Sequence, residues 1–135
     1  MWLVCAEDGR VVPAEPKSLV LPSGLETGQK LVALFDDCRR ALRALRPVRV
    51  LVLDPEANNQ LTFAKSRGRV TGETLVSLAA AELDIPCNYI SRKRVRARLG
   101  LPAGGRLSSL VDQVVDEVLA PNWTDKRDLA ALAAL

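Results

Sequence analysis

The chain has 135 residues, 48% of them apolar, and a formal net charge of +3, which suits one domain with a core that needs no disulfide or metal staple. It contains no histidine, so histidine-dependent triads and most zinc hydrolases are excluded. No run approaches the roughly 18 to 20 apolar residues of a membrane span, and the start lacks the features of a signal peptide, so a single cytoplasmic domain over residues 1–135 is expected, with no membrane partner.

In chain order, Met1–Ala6 and Ser18–Leu21 read as two strands beside Glu7-Asp8-Gly9-Arg10, where Asp-Gly is a hairpin signal. Pro13 and Pro16 remove ladder donors, which makes the second strand irregular until about residue 17. Between Leu25 and Arg46 the apolar residues Leu31, Leu34, Phe35, Cys38, Leu42 and Leu45 keep helical spacing, and Pro47 closes the helix. Residues 48–53 form a short Val-rich apolar run, the pattern of a central strand covered on both faces.

Residues 55–68 read as a polar loop containing Phe63, leading into a helix over 70–84 with Val70, Leu75, Leu78, Ala79 and Leu83 inward. Cys87-Asn88-Tyr89-Ile90 reads as a strand that lies parallel to 48–53, because a helix connects the two. A basic helical segment follows, with Val95 and Leu99 turned inward, then the break Pro102-Ala103-Gly104-Gly105. A further helix spans Leu110 to Val118, stopped by Pro121, and the last helix follows Thr124 as its cap. The fold class expected is α/β, a mixed sheet with an N-terminal antiparallel hairpin and parallel strands, flanked by helices. Cys5, Cys38 and Cys87 are odd in number and widely spaced, the pattern of buried free thiols.

The chemistry-bearing residues fall into two groups. Asp125 and Asp128 share one face of the last helix. Asp54 ends the apolar strand, and Glu56 follows two residues on, at the strand end where α/β sheets place their ligands. Carboxylates of this kind can hold Mg2+ or Mn2+ and hydrolyse a phosphodiester without histidine. The same two helical aspartates would also favour a helix N-terminus by the macrodipole alone. The second group is basic: Arg92, Lys93, Arg94, Arg96 and Arg98 in one segment, with Lys65, Arg67 and Arg69 after Asp54. Such density points to a polyanion read through its backbone, because aromatic platforms for base stacking are scarce.

Residues from about 48 to 132 resemble, in order, the RuvC-type Holliday junction resolvases of the RNase H-like superfamily. The resemblance rests on the strand-end Asp54, Ser66-Arg67-Gly68-Arg69-Val70, the turn Asp84-Ile85-Pro86-Cys87, the segment Val95-Arg96-Ala97-Arg98-Leu99-Gly100, Arg106 six residues later, and Asp125-Lys126-Arg127-Asp128-Leu129-Ala130-Ala131-Leu132. It implies an RNase H-like fold, magnesium-dependent action on branched or duplex DNA, and a homodimer. It also implies Asp54 (or Glu56), Asp125 and Asp128 as catalytic and metal-binding residues, and Arg96 and Arg106 as phosphate contacts. The family opens with a strand whose aspartate bridges two metals; this sequence starts at what resembles the family's second strand, and Asp8, in the hairpin turn, lies at the wrong end to replace that residue. The expectation is therefore a divergent or degenerate nuclease that binds nucleic acid, with a non-catalytic assembly or partner-binding domain as the alternative.

Overall fold

The computed structural model describes residues 1–12, 14–55, 62–114 and 125–135, with the side chains of residues 125 and 126 left aside. Glu56, the expected cap Thr124, Pro13 and the second half of the helix expected to reach Val118 lie outside the described residues.

The chain begins with a hairpin, β1 (Cys5–Glu7) and β2 (Arg10–Val12), paired antiparallel with Glu7 opposite Arg10. Its two-residue turn needs positive φ at both central positions, and Asp8 (49°) and Gly9 (75°) supply it. The ladder then breaks, as the prolines predict: Glu15-Pro16 is cis, and pairing resumes only at a bridge between Trp2 and Ser18. Helix α1 (Thr27–Leu45) starts with a reciprocal box between Glu26 and Gln29 and stops at Arg46, in the left-handed region just before Pro47.

Strand β3 (Val50–Leu53) pairs parallel with β4 (Cys87–Ile90), Val50 opposite Cys87 and Leu53 opposite Ile90. Its alternation explains its composition. Val50 and Val52 pack on a cluster built from Leu34, Cys38 and Leu42 of α1 and from Val76, Ala79 and Ala80 of α2 (Phe63–Glu82). Leu51 and Leu53 pack on the opposite cluster, with Ile90, Val95, Leu107 and Leu132. Both faces are thus covered, as a continuous apolar strand requires. Among the described residues, however, the strands form two separate two-stranded sheets, β1 with β2 and β3 with β4, in place of one continuous sheet.

Two expectations for α2 are corrected. The helix begins at Phe63, so Lys65, Arg67 and Arg69 are helical and Phe63 does not lie in a loop; the Thr62 hydroxyl caps the Lys65 N–H, a start signal that the nearby Gly68 obscured. Its inward face is Val76, Ala79 and Ala80, with Leu75 and Leu83 packed against the same cluster as expected, while Val70 (59% exposed) and Leu78 (51%) point outward. Small alanines let α1 and α2 approach closely, and that contact sets the rotation of the helix.

Helix α3 (Arg92–Leu99) follows β4 directly, capped by the Ser91 hydroxyl and closed by left-handed Gly100. A 3-10 helix (Leu107–Gln113) covers the described start of the helix expected from Leu110, and α4 is Asp125–Ala134. Helix α4 packs on β3 and β1, on the face opposite α1 and α2, giving helix, strand and helix layers. Cys38 is fully buried, and burial first, then the Asp37 carboxylate, push its thiol up to about 11; Cys5 and Cys87 are only half-buried, and all three are free. No described helix is long and apolar enough to cross a membrane.

Candidate nucleic-acid interface

The C-terminal ends of β3 and β4 bring the site elements together. The Asp54 N–H donates to the Ile90 carbonyl at 2.9 Å, so Asp54 lies beside the point where β4 hands over to Ser91 and α3. Residues 50, 52 and 54 turn their backbone groups toward β4, and Leu51 and Leu53 therefore turn theirs to the other edge. There the Arg69 guanidinium donates to the Leu53 carbonyl, and its Nε meets Glu73 Oε1 one helical turn further along α2. Arg69 thus ties the first half of α2 to the end of β3. It covers with a cation one acceptor on the edge of β3 that no described strand pairs with, a common way of protecting such an edge.

Sequence reasoning placed Arg69 among the nucleic-acid contacts and did not select Glu73. The structure gives both a role in holding the strand end. The signal was available in the i, i+4 spacing of Arg69 and Glu73, a separation at which opposite charges on a helix meet.

Of the four expected carboxylates, the side chains of Asp54 and Asp128 are described. Asp54 is half-buried and forms no ion pair with a described residue. Asp128 sits in the first turn of α4, one residue before Leu129, which shares an apolar cluster with Leu51 and Leu53. The α4 backbone therefore carries positions 125 and 128 to the same face of β3. Among the described residues no three cysteine, aspartate or glutamate side chains come close enough to share an ion. Glu56 and the Asp125 side chain, the other expected carboxylates, lie outside the described residues. The Arg69 guanidinium lies at the same strand end, on the Leu53 carbonyl.

The first turn of α4 is fastened elsewhere too. Arg127 is almost fully buried (8% exposed), with its guanidinium 6.0 Å from the centre of the Trp2 ring. A cation over an indole face gains from the ring quadrupole, and this contact joins α4 to the N-terminal segment beside the hairpin.

The basic residues divide by what they touch. Lys93, Arg94, Arg98 and Arg106 are exposed and form no ion pair with a described acid; the same holds for Lys65 and Arg67 on α2. Arg92 is half-buried at the first position of α3. Arg96 is engaged by a neighbouring loop. Its Nη1 donates to the carbonyls of Pro102 and Gly104 (3.1 Å for the latter), and its Nη2 donates to the Gly105 carbonyl at 2.7 Å. The positive surface accordingly has two parts, the outward face of α3 with Arg106, and the first turns of α2. Both begin at the same ends of β3 and β4.

No family model and no curated protein matches the chain by sequence. The fold does match solved structures. Thermus thermophilus RuvC in complex with a Holliday junction substrate superposes with a TM-score of 0.70 at 15% identity, over 97% of this chain and 81% of that one. A second Thermus thermophilus RuvC structure gives 0.63 at 19% identity, over 93% and 72%. The chain has a RuvC-like fold, as the ordered motifs led one to expect.

Proposed function

We propose that the protein is a RuvC-like nucleic-acid-binding protein that grips branched or duplex DNA by its phosphate backbone. The observation that carries this reading is the outward face of α3: Lys93, Arg94 and Arg98 are exposed, with no acid on the helix and no described acid paired to them. Free cations in a row displace counterions from a polyanion, and the resulting affinity falls steeply with salt and depends little on sequence. The neighbouring RuvC structure bound to a Holliday junction supports a branched substrate. The test is a titration of four-way junction, duplex and single strand across a salt series, in EDTA and in Mg2+. Tight junction or duplex binding that persists in EDTA and weakens linearly in log salt is expected. Absent or salt-independent binding would remove the reading.

A second reading, Mg2+- or Mn2+-dependent phosphodiester hydrolysis, is favoured by the packing of α4 on β3, which directs the element bearing Asp125 and Asp128 to the sheet that ends in Asp54. Asp54, Glu56, Asp125 and Asp128 are the residues it would use, and a bound metal would activate water and stabilise the leaving oxygen. It predicts cleavage that requires metal and is lost in Asp128→Asn with junction binding retained. Inertness of the wild-type chain on junction, flap and hybrid substrates counts against it. A homodimer belongs to the same proposal: Phe63, Val70 and Leu78 form an exposed apolar stripe at roughly two-turn intervals along α2, a seam that a second helix can cover. Leu78→Glu would then convert a dimer to a monomer in light scattering, whereas a monomeric wild-type chain disposes of the idea.

A further inference from the structure

Resting on the binding reading above, we infer that Arg96 is a positioning residue that holds the loop 101–105 so that Arg106 reaches the phosphate backbone, and does not itself contact phosphate. The evidence is how its guanidinium is used. Two of its nitrogens meet three carbonyls from one loop, those of Pro102, Gly104 and Gly105. The planar fork of arginine can serve several acceptors at fixed angles, and hydrogen bonds from a charged donor are the stronger kind. A lysine, with one nitrogen, cannot reproduce that geometry.

The loop is fixed at both ends around this contact. At its start, Gly100 takes the left-handed cap conformation (φ 66°) and the Leu101 N–H returns to the Arg96 carbonyl at 2.9 Å. At its end, left-handed Gly105 (φ 78°) turns the chain into Arg106, whose carbonyl accepts the Ser109 hydroxyl at 2.8 Å. The next residue, Leu107, is 2% exposed and anchored in the core. Arg106 therefore stands, exposed, between a clasped loop and an anchored leucine. Its backbone has little freedom, and ordering a long cationic side chain on a fixed base costs less on binding than ordering a mobile loop as well.

A second consequence is electrostatic. Loop carbonyls are partial negative charges that repel a phosphate strand. By converging on Arg96, the three carbonyls are turned onto a cation and away from a polyanion lying along α3. The guanidinium is thus satisfied by its own chain, while the charge presented outward belongs to Lys93, Arg94, Arg98 and Arg106.

A double-mutant cycle on four-way junction binding tests this, because residues that act through one another do not multiply. Arg106→Ala and Arg96→Ala should each weaken binding roughly tenfold, as expected for removal of one charge-assisted hydrogen bond, and the double variant should be no weaker than Arg106→Ala alone. Arg98→Ala combined with Arg106→Ala should multiply, since these two contact phosphate independently. Arg96→Lys keeps the charge and should fall to the level of Arg96→Ala. In the free protein, amides 103–106 should exchange hydrogen faster in both Arg96 variants, with α3 protected as before. Multiplicative loss in the Arg96/Arg106 pair, wild-type binding by Arg96→Lys, or unchanged exchange at 103–106 overturns the inference. Failure of the wild-type chain to bind junction or duplex at all defeats the parent reading instead, a result told apart by the exchange measurement, which needs no DNA.

Discussion

Helices α2 and α3 both begin at the C-terminal ends of the parallel strands and both open with arginine and lysine, yet the structure uses them differently. On α2, Glu73 one turn beyond Arg69 draws that guanidinium onto the Leu53 carbonyl, where it fastens helix to strand. Helix α3 itself carries no acid; Arg92 is half-buried at its start, Arg96 is engaged by loop carbonyls, and Lys93, Arg94 and Arg98 stay exposed. Two stretches of similar composition thus divide into a structural clasp and an outward charge. The local supply of acceptors within reach of each guanidinium decides the matter, which the number of cations alone does not reveal. A residue with its donors engaged inside the fold has little left for a ligand, whereas an exposed and unpaired one attracts counterions until a polyanion replaces them.

The sharpest way to break the comparison is to reverse the charge of α3. The triple variant Lys93→Glu, Arg94→Glu, Arg98→Glu should lower junction affinity by at least about a hundredfold and reduce the slope of log affinity on log salt by about 0.9 for each phosphate that is no longer neutralised. These side chains are exposed, so the melting temperature should move little. Retained affinity would show that α3 is an ordinary solvated face.

Next in size is Arg69→Ala, which should act on stability and not chiefly on binding. It leaves Glu73, a carboxylate only 17% exposed, without its partner, and the Leu53 carbonyl without its donor. Losing hydrogen bonds to a charged group of this kind costs about 2 kcal/mol, less any screening at the partly exposed guanidinium. Urea unfolding measures it directly. A variant with wild-type stability and much weaker DNA binding would place Arg69 with the α3 cations and erase the distinction.

Much of the architecture was legible before the structure, because it depends on local signals of known period. The parallel pairing of Val50–Leu53 with Cys87–Ile90 follows from two apolar runs joined by a helix, and the Asp8-Gly9 turn from a dipeptide that tolerates positive φ. The rotation of α2 was not legible. Val70 and Leu78 have the chemistry of core residues, but Ala79 and Ala80 allow the closer approach to α1, and that tertiary preference is invisible in a single helical pattern. The site divides in the same way. Asp54 at a strand end and the basic helix after Ile90 could be read from spacing. The capture of Arg96 by Pro102, Gly104 and Gly105 could not, since it depends on how a glycine-rich loop closes in space. The gap between the two sheets is likewise a matter of hydrogen-bond partners, which composition does not encode.

A smaller effect probes how the first turns of α2 come to lie at the sheet end. Thr62→Ala removes the hydroxyl that accepts the Lys65 N–H, and loss of such a cap costs about 1 kcal/mol. Fraying should be confined to the first turn, with faster hydrogen exchange at residues 63–66, because Arg69 and Glu73 lie beyond it and hold the next turn to Leu53. Exchange that spreads past residue 69 would mean that the cap, and not the guanidinium clasp, holds this part of the helix in place.

The finest test converts one region toward the other. Glu73→Gln keeps the shape and an acceptor for Arg69 but removes the compensating charge, so the end of β3 gains one uncompensated cation beside the start of α3. If both helices face the same DNA, junction affinity at low salt should rise about threefold through the added field alone. The gain should fade as salt shortens the reach of that charge. Because the Leu53 carbonyl still accepts from Arg69, the guanidinium stays where it is, and the change reports field and not a new contact. An affinity that is unchanged at low salt would mean that DNA on α3 lies beyond the reach of Arg69; the two basic stretches would then serve different surfaces in spite of their common origin at the ends of β3 and β4.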